Sequence, residues 1–510
     1  MKRKIGIYVV LIAIIIGAAP YLVGFLVEAR FKDVVQVASE LESTKVEVVE
    51  YHRGWRQSHA VTRIVFSGSV VDGLHEGFAK KSGVSAEPKS LGILVKHDIR
   101  HGPFVQLKEG DYANWTFALA TIHSYLNEEA NKKLMAVVGQ GDVLTMDSEI
   151  KMDGTTKAKI TGKELKISDT THEHMLWKGL TGNWELSRDF KRLQCNMLMP
   201  GFDAVFEDKR IIGEDLVFKT ERFKTPEGLW LGSAKMDLQK LQVDVAQKTV
   251  FTMAGFAASG VTDTENGMIE SSGTLRIESF KLEDEQFGPA NYSGSVKKIP
   301  PQVMKSFMDI AKEMDGAPES EQAQYVDQLL ALVPELLKAR PELVIDDLSL
   351  RAPQGEIKSS FAMAVGGPDA NNIKDLQTII HSIFAKGSLI MPKAVYQDIM
   401  LGVAFHGQVK EGQQPNEQES TNAVNELITN QVKEGLWQEN GANLTMEFEF
   451  KEGNLKVNGK PLDLMKLFFE MKTQGTKAPA PQSQEPGAGP LPPQVPTAPD
   501  TGTSSISAPQ

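Results

Sequence analysis

Two histidine pairs and one aromatic-basic cluster hold the residue types from which a site is most readily built. His97 and His101, in HDIRHGP, are four residues apart, and His172 and His174, in THEHMLW, are two apart. On an extended strand either spacing puts both rings on one face, where two imidazoles are placed to bind zinc once a third ligand arrives. No HExxH and no carboxylate at helical spacing supplies that ligand nearby. Exposed strand histidines account equally well for His172 and His174. His101-Gly102-Pro103 also reads as a strand end that turns sharply. The single cysteine, Cys195, lies in the apolar run LQCNMLM, which suits a buried small hydrophobe better than a nucleophile. No GxSxG, no P-loop and no GxGxxG after a strand is present, and no carboxylate pair stands apart as an acid and base. The sequence recruits no enzyme chemistry and calls for no cofactor.

Tyr51-His52-Arg53-Gly54-Trp55 is the most distinctive local cluster. Gly54 suits a tight turn. Arg53 is placed to stack on Trp55 or Tyr51, or to reach a phosphate or carboxylate. A hairpin corner clamped by aromatics is one reading of Tyr51, Arg53, Gly54 and Trp55; contact with lipid headgroups is the other.

These groups must be carried by strands. KVEVVEYHRGW and HAVTRIVFSGSV alternate with period two around the Gly54 turn, and LGILVKHDIRHGPF continues the pattern. A helical patch is predicted from about Thr121 to Val138. From Val143 to Leu282 alternating strands dominate, as in an antiparallel meander with one wet face. Helices are predicted over Gln302–Lys338, with Pro334 as a break or a new start, and near Asn372–Ala385 and Ala423–Leu436. Between and after them lie the strands LVIDDLSLRAPQGEIKSSFAMAV, ANLTMEFEFKEG and NLKVNG, then a short helix beyond Pro461.

Ahead of the strands, Ile5–Val27 carries no charge and follows Lys2, Arg3 and Lys4. At 1.5 Å per residue it is roughly 34 Å long, enough for a bilayer core of ~30 Å. The basic flank orients the N-terminus inward and the body outward. Pro20 after Gly17-Ala18-Ala19 disfavours signal cleavage. Phe31, Val34, Val35, Ala38 and Leu41 extend the helix beyond the membrane. At the other end, nine of the 25 prolines fall from Gly475 onward, a composition that forms no packed core. The net charge of −11 gives no nucleic-acid footprint.

The anchor, YHRGW, the strand ending in HGP, WKGLTG at Trp177–Gly182, GLWLGSAKMDLQKLQV at Gly228–Val243, the region Ala339–Lys358 and NGKPL at Asn458–Leu462 together resemble the YdgA/YihF-like proteins of Gram-negative bacteria, a family of unknown function. The resemblance spans the body and leaves out the Pro-rich tail. It implies inner-membrane attachment, a periplasmic body and self-association, and it supplies no catalytic residues.

The expected architecture is α+β and β-dominated. It comprises a cytoplasmic stub and transmembrane anchor (1–27), a β-rich region (28–300), a second α+β region continuous with the first or separate (301–474) and a disordered tail (475–510). Long amphipathic strands with flanking helices form a flat covered sheet or a curved one with a groove. Two functions stay open. One is non-enzymatic envelope organisation through protein partners or further copies of this chain; the other is binding or transfer of a lipid or other hydrophobe in an apolar groove. A metal-dependent hydrolase is the third and weakest.

Overall fold

The computed structural model describes residues 2–40, 44–67, 90–106, 115–129, 131–132, 141–168, 174–315, 322–366, 376–410 and 417–462. The apolar N-terminal run forms one long helix, α1 (Lys2–Glu40), which continues through Pro20. The first hairpin is β1 (Thr44–Arg53) and β2 (Gln57–Ser67), turning at Gly54 as expected. Next come β3 (Ser90–His101), β4 (Val105–Gln106), β5 (Trp115–Thr116) and β6 (Ala118–Leu126). They are followed by β7 (Leu144–Lys151), β8 (Thr156–Gly162), β9 (Leu165–Ser168), β10 (His174–Trp177) and β11 (Leu180–Leu186). The longest strands are β12 (Arg192–Phe206), β13 (Lys209–Lys224), β14 (Trp230–Val245), β15 (Lys248–Glu265) and β16 (Met268–Leu282). β17 (Glu285–Phe287) and β18 (Ala290–Ile299) lead to helices α2 (Pro301–Asp315) and α3 (Gln322–Lys338). β19 (Glu342–Ala352), β20 (Gly355–Val365), α4 (Leu376–Ser382), β21 (Ile383–Pro392), α5 (Lys393–Lys410) and α6 (Glu417–Glu434) follow. The described chain closes with β22 (Gln438–Asn440), β23 (Asn443–Lys451), β24 (Asn454–Val457) and β25 (Lys460–Leu462).

All but β4 and β5 belong to one antiparallel sheet of 23 strands. Pairing runs β1-β2-β3-β6-β7-β8-β11-β12 and on through β13, β14, β15, β16, β18, β19, β20, β21, β23, β24 and β25. The sheet is open: among the described residues no pairing joins β1 to β25. One row of directly opposed residues crosses it from Tyr51 through Ala60, His97, Ser124, Met146 and Ile160. The same row goes on through Gly182, Met197, Phe218, Met236, Ala258 and Leu275. It ends through Tyr292, Leu348, Ser359, Leu389 and Met446. Opposed residues share a face, so this row marks one face of the whole sheet.

The helices gather on that face. Val27 and Phe31 of α1 pack with Ala60, Ile99, Ala120, Ile122 and Ile150. Met304 and Met308 of α2 and Leu336 of α3 pack over Leu231, Ile269 and Ile299, toward one end of the long strands. Val424 and Ile428 of α6, with Tyr396 and Met400 of α5, cover Leu389, Met391, Leu444 and Met446. The opposite face carries alternating charges, such as the surface pairs His59–Asp98 at 2.8 Å and His123–Asp147 at 2.7 Å.

Four expectations need correction. Ala118–Leu126 is strand β6, not helix. Its inward positions hold Ala and Ser beside Ile and Leu, so composition mimics a helix while burial alternates; residues 133–140 lie outside the described set. Pro334 sits inside a continuous α3. The carbonyl deprived of its donor is that of Leu330, an exposed position open to water. Ile383–Ala385 opens strand β21 instead of ending a helix, and α5 is a helix the periodicity did not signal. The predicted helix beyond Pro461 and the Pro-rich tail lie outside the described residues. Among the described residues no helix is long and apolar enough to cross a membrane. The side chains of residues 2–17, most of the expected anchor, are outside that set.

Candidate functional site

His97 and His101 do share a face of β3, and both point under α1, where they are almost wholly buried. Each ring spends both nitrogens on neutral partners. His97 Nε2 meets the Thr62 hydroxyl and Nδ1 the Ser124 hydroxyl, each at 2.8 Å. Its ring lies 5.1 Å from that of Phe31, edge to face. Burial pushes the His97 pKa down to about 4. His101 donates from Nδ1 to the Pro20 carbonyl at 2.9 Å, and its Nε2 meets the Ser58 hydroxyl at 3.0 Å. Burial lowers its pKa also. A neutral imidazole with both nitrogens engaged has no lone pair to give a metal. Here the pair latches a helix to a sheet.

His172 lies outside the described residues, and His174 is exposed on β10, opposite Ser168 and Val205. Among the described residues no group of three or more His, Cys, Asp or Glu is placed to hold a metal ion. Cys195 is half-buried on β12, and burial raises its thiol pKa, which disfavours the nucleophilic thiolate.

The Tyr51–Trp55 cluster forms the hairpin corner. Tyr51 is half-buried, its ring 5.8 Å from Phe31. Arg53 pairs with Glu28 of α1 at 2.7 Å and lies 3.5 Å over the Phe25 ring. It grips the helix, so its charge is already matched. Gly54 donates its N–H to the Gln57 carbonyl at 2.9 Å, and a Cβ there would stand 2.4 Å from that oxygen. Trp55 is exposed at the tip.

α1 also reaches far along the chain. Arg30 donates to the Ser187 and Arg188 carbonyls at 2.9 and 2.6 Å and lies 3.5 Å over Phe190. Glu40 pairs with Lys224 at 2.6 Å and approaches the Trp230 indole N–H at 3.4 Å. One helix thus touches β1 and the β13–β14 turn.

The feature that motif reasoning missed is the middle of the marked face. From Met197 to Leu348 the row is Met, Phe, Met, Ala, Leu, Tyr, Leu. The neighbouring row is Met199, Leu216, Leu238, Phe256, Ile277, Ala290, Leu350. Helices cover this face at both edges of the sheet and at one strand end, yet Met236, Tyr292 and Leu348 stay exposed and most of the others are only half-buried. Beside them Gly260, Gly273 and Gly294 stand opposite one another. Their lack of side chains thins the sheet there, and a shallow cleft of about 660 Å³ opens on the opposite face, lined by Ser259, Ser272, Thr274, Ser293 and Ser295. At strand spacings of ~4.8 Å, seven strands make this apolar floor roughly 30 Å wide.

The floor has a further regularity. On β12 the apolar positions step from Met197 and Met199 to Phe202 and Ala204, and on β13 from Phe218 and Leu216 to Gly213 and Ile211. β14, β15 and β16 change phase at the same row, where Gly255 has φ 65° and Asp215 φ 50°. A residue at positive φ interrupts strict alternation. The signal was present in the sequence as a one-residue slip in five successive strands.

A family profile described as a bacterial protein of unknown function (DUF945) matches residues 1–465. Protein YdgA of Escherichia coli (strain K12) is 23% identical over 499 residues, covering 90% of this chain and 94% of that protein. No solved structure matches.

Proposed function

This chain belongs to the bacterial DUF945 family of proteins of unknown function, and from that premise we propose that it is a membrane-tethered, non-catalytic envelope protein that binds lipid acyl chains on the open part of its apolar sheet face. The body lies in the periplasm, and Ile5–Val27 ties it to the inner membrane. The observation that carries this reading is the row from Met197 to Leu348, apolar throughout, with helices over both edges of the sheet and over one end of its long strands and, among the described residues, none over the row itself. Exposed apolar rows of this extent mark a binding surface. Non-directional aliphatic and thioether groups suit chains without polar features. α1 joins the expected membrane segment to this same face, which supports lipid as the occupant.

The test uses matched positions on the two faces. A photoreactive residue replaces Met236 or Leu348 on the floor, and Leu198 on the charged face, where Leu198 is 40% exposed against 38% for Met236. Irradiation of the full chain in its membrane is expected to attach phospholipid at Met236 and Leu348 and to leave Leu198 bare. Equal labelling of both faces would remove the reading.

A second reading, envelope organisation through protein contacts, draws on one separate observation. Val326 and Leu330 of α3 and Ile399 and Val403 of α5 are exposed at helical spacing. Crosslinking in intact cells from Leu330 and Val403 that recovers no protein, not even a second copy of this chain, would dispose of it.

A further inference from the structure

A bilayer core of ~30 Å takes about 20 helical residues. Counted from Ile5, the first residue after the basic flank, the twentieth is Gly24. At Gly24 the helix is already against the body. A Cβ there would lie 2.8 Å from His101 Cε1, and the Pro20 carbonyl, one turn earlier, accepts from His101 at 2.9 Å. A Cβ on Gly102 would be 3.8 Å from Pro20. The helix therefore docks on the sheet before it has left the membrane. Its outer side over these turns agrees with that: Tyr21, Leu22, Phe25 and Leu26 are exposed large hydrophobics.

The corner that meets the helix at this level is apolar and aromatic. Trp55 at the β1–β2 tip is 55% exposed, and Phe104 after β3 and Phe117 before β6 are each 59% exposed. The two phenylalanine rings are 5.3 Å apart. A backbone bond of 3.0 Å from His101 N–H to the Arg56 carbonyl fixes the tip to the β3 end. Exposed aromatic rings gathered at one level are the composition of a membrane–water boundary.

We propose that this corner is a lipid seat: Trp55, Phe104 and Phe117 insert at the headgroup–acyl boundary of the outer leaflet and hold the body against the bilayer. The proposal rests on the membrane tether named above, and it is independent of what the floor binds. It also redefines the anchor, whose last turns are shared between lipid on one side and the sheet on the other.

The test uses the full chain with Cys195→Ser, reconstituted into phosphatidylethanolamine–phosphatidylglycerol vesicles. A nitroxide is attached at Phe104→Cys or Phe117→Cys, and for reference at Leu198→Cys or Val261→Cys. The reference sites are exposed hydrophobics on the charged face of β12 and β15. All four sites are exposed, and unchanged melting of each variant checks the fold. The ratio of collisions with oxygen to collisions with a water-soluble nickel chelate is expected to be several-fold higher at 104 and 117 than at 198 and 261. Chain retained on the vesicles after an alkaline wash, with equal ratios at all four sites, overturns the seat and leaves the tether standing. Chain lost in the wash overturns the tether and the seat together.

Discussion

Acidification should loosen the helix latch, and His97 sets the size of the effect. His97 is neutral when folded, with its pKa lowered from 6.5 to about 4. A group whose folded pKa is depressed in this way takes up a proton on unfolding while the pH lies between about 4 and 6.5. Its contribution is fully present above 6.5 and is lost as the pH falls toward 4. With these two values the loss is about 2 kcal/mol by pH 5 and about 3 kcal/mol by pH 4. Because His97 is buried, solvent screening does not discount the figure. Titrating carboxylates also change stability over this range, so the wild type alone is not diagnostic. His97→Gln retains a donor and an acceptor for Thr62 and Ser124 and removes the titration. Urea unfolding of the full chain in neutral detergent, followed by circular dichroism from pH 4 to 8, gives both curves. The variant should lose less stability than wild type by about 2 kcal/mol between pH 7 and pH 5. Parallel curves would refute the assignment of His97 as a buried neutral latch. His101, lowered in the same direction, keeps a residual slope of the same sign in both proteins.

Two further outcomes follow from the same helix. Gly24→Ala gains about 1 kcal/mol of helix propensity in an exposed setting. Here the new methyl meets His101 at 2.8 Å, a ring already held by Ser58 and Pro20, so a net loss of roughly 1–2 kcal/mol is expected in the same unfolding assay. A stabilised variant would mean that α1 is not held at this point. Arg30→Met keeps the apolar stem and removes the two bonds to the Ser187 and Arg188 carbonyls, with an expected loss of roughly 1.5–3 kcal/mol. Protease cleavage within the 187–191 turn should also become faster, and an unchanged cleavage rate would count against the contact.

Most strands were legible because strict alternation survives wherever one face is apolar. The Gly54 turn, β1 and β2, and the β19–β20 pair stand where period two put them. β6 was hidden because Ala118, Ala120 and Ser124 are among its inward residues, and their small size hides the period. α5 was hidden because its apolar residues lie on several sides, with Ile399 and Val403 left exposed. The shared strand face of His97 and His101 was legible; its purpose was not, since Thr62, Ser124 and Pro20 reach them only through tertiary contacts. The floor was partly legible as amphipathic strands. That no described residue covers its middle depends on where the helices land, which no local pattern encodes.

The reach of α1 has a consequence for biogenesis. The helix is made first, yet Arg30 binds carbonyls 157 and 158 residues later, and Glu40 approaches an indole 190 residues later. At chain elongation rates of ~5–20 residues per second, the last of these partners emerges roughly 10–40 s after the helix. During that interval Val27 and Phe31 can already meet the first strands, while Arg30 and Glu40 are without their partners. An early helix must wait for late strands, so its folding is timed by the ribosome as much as by its own sequence.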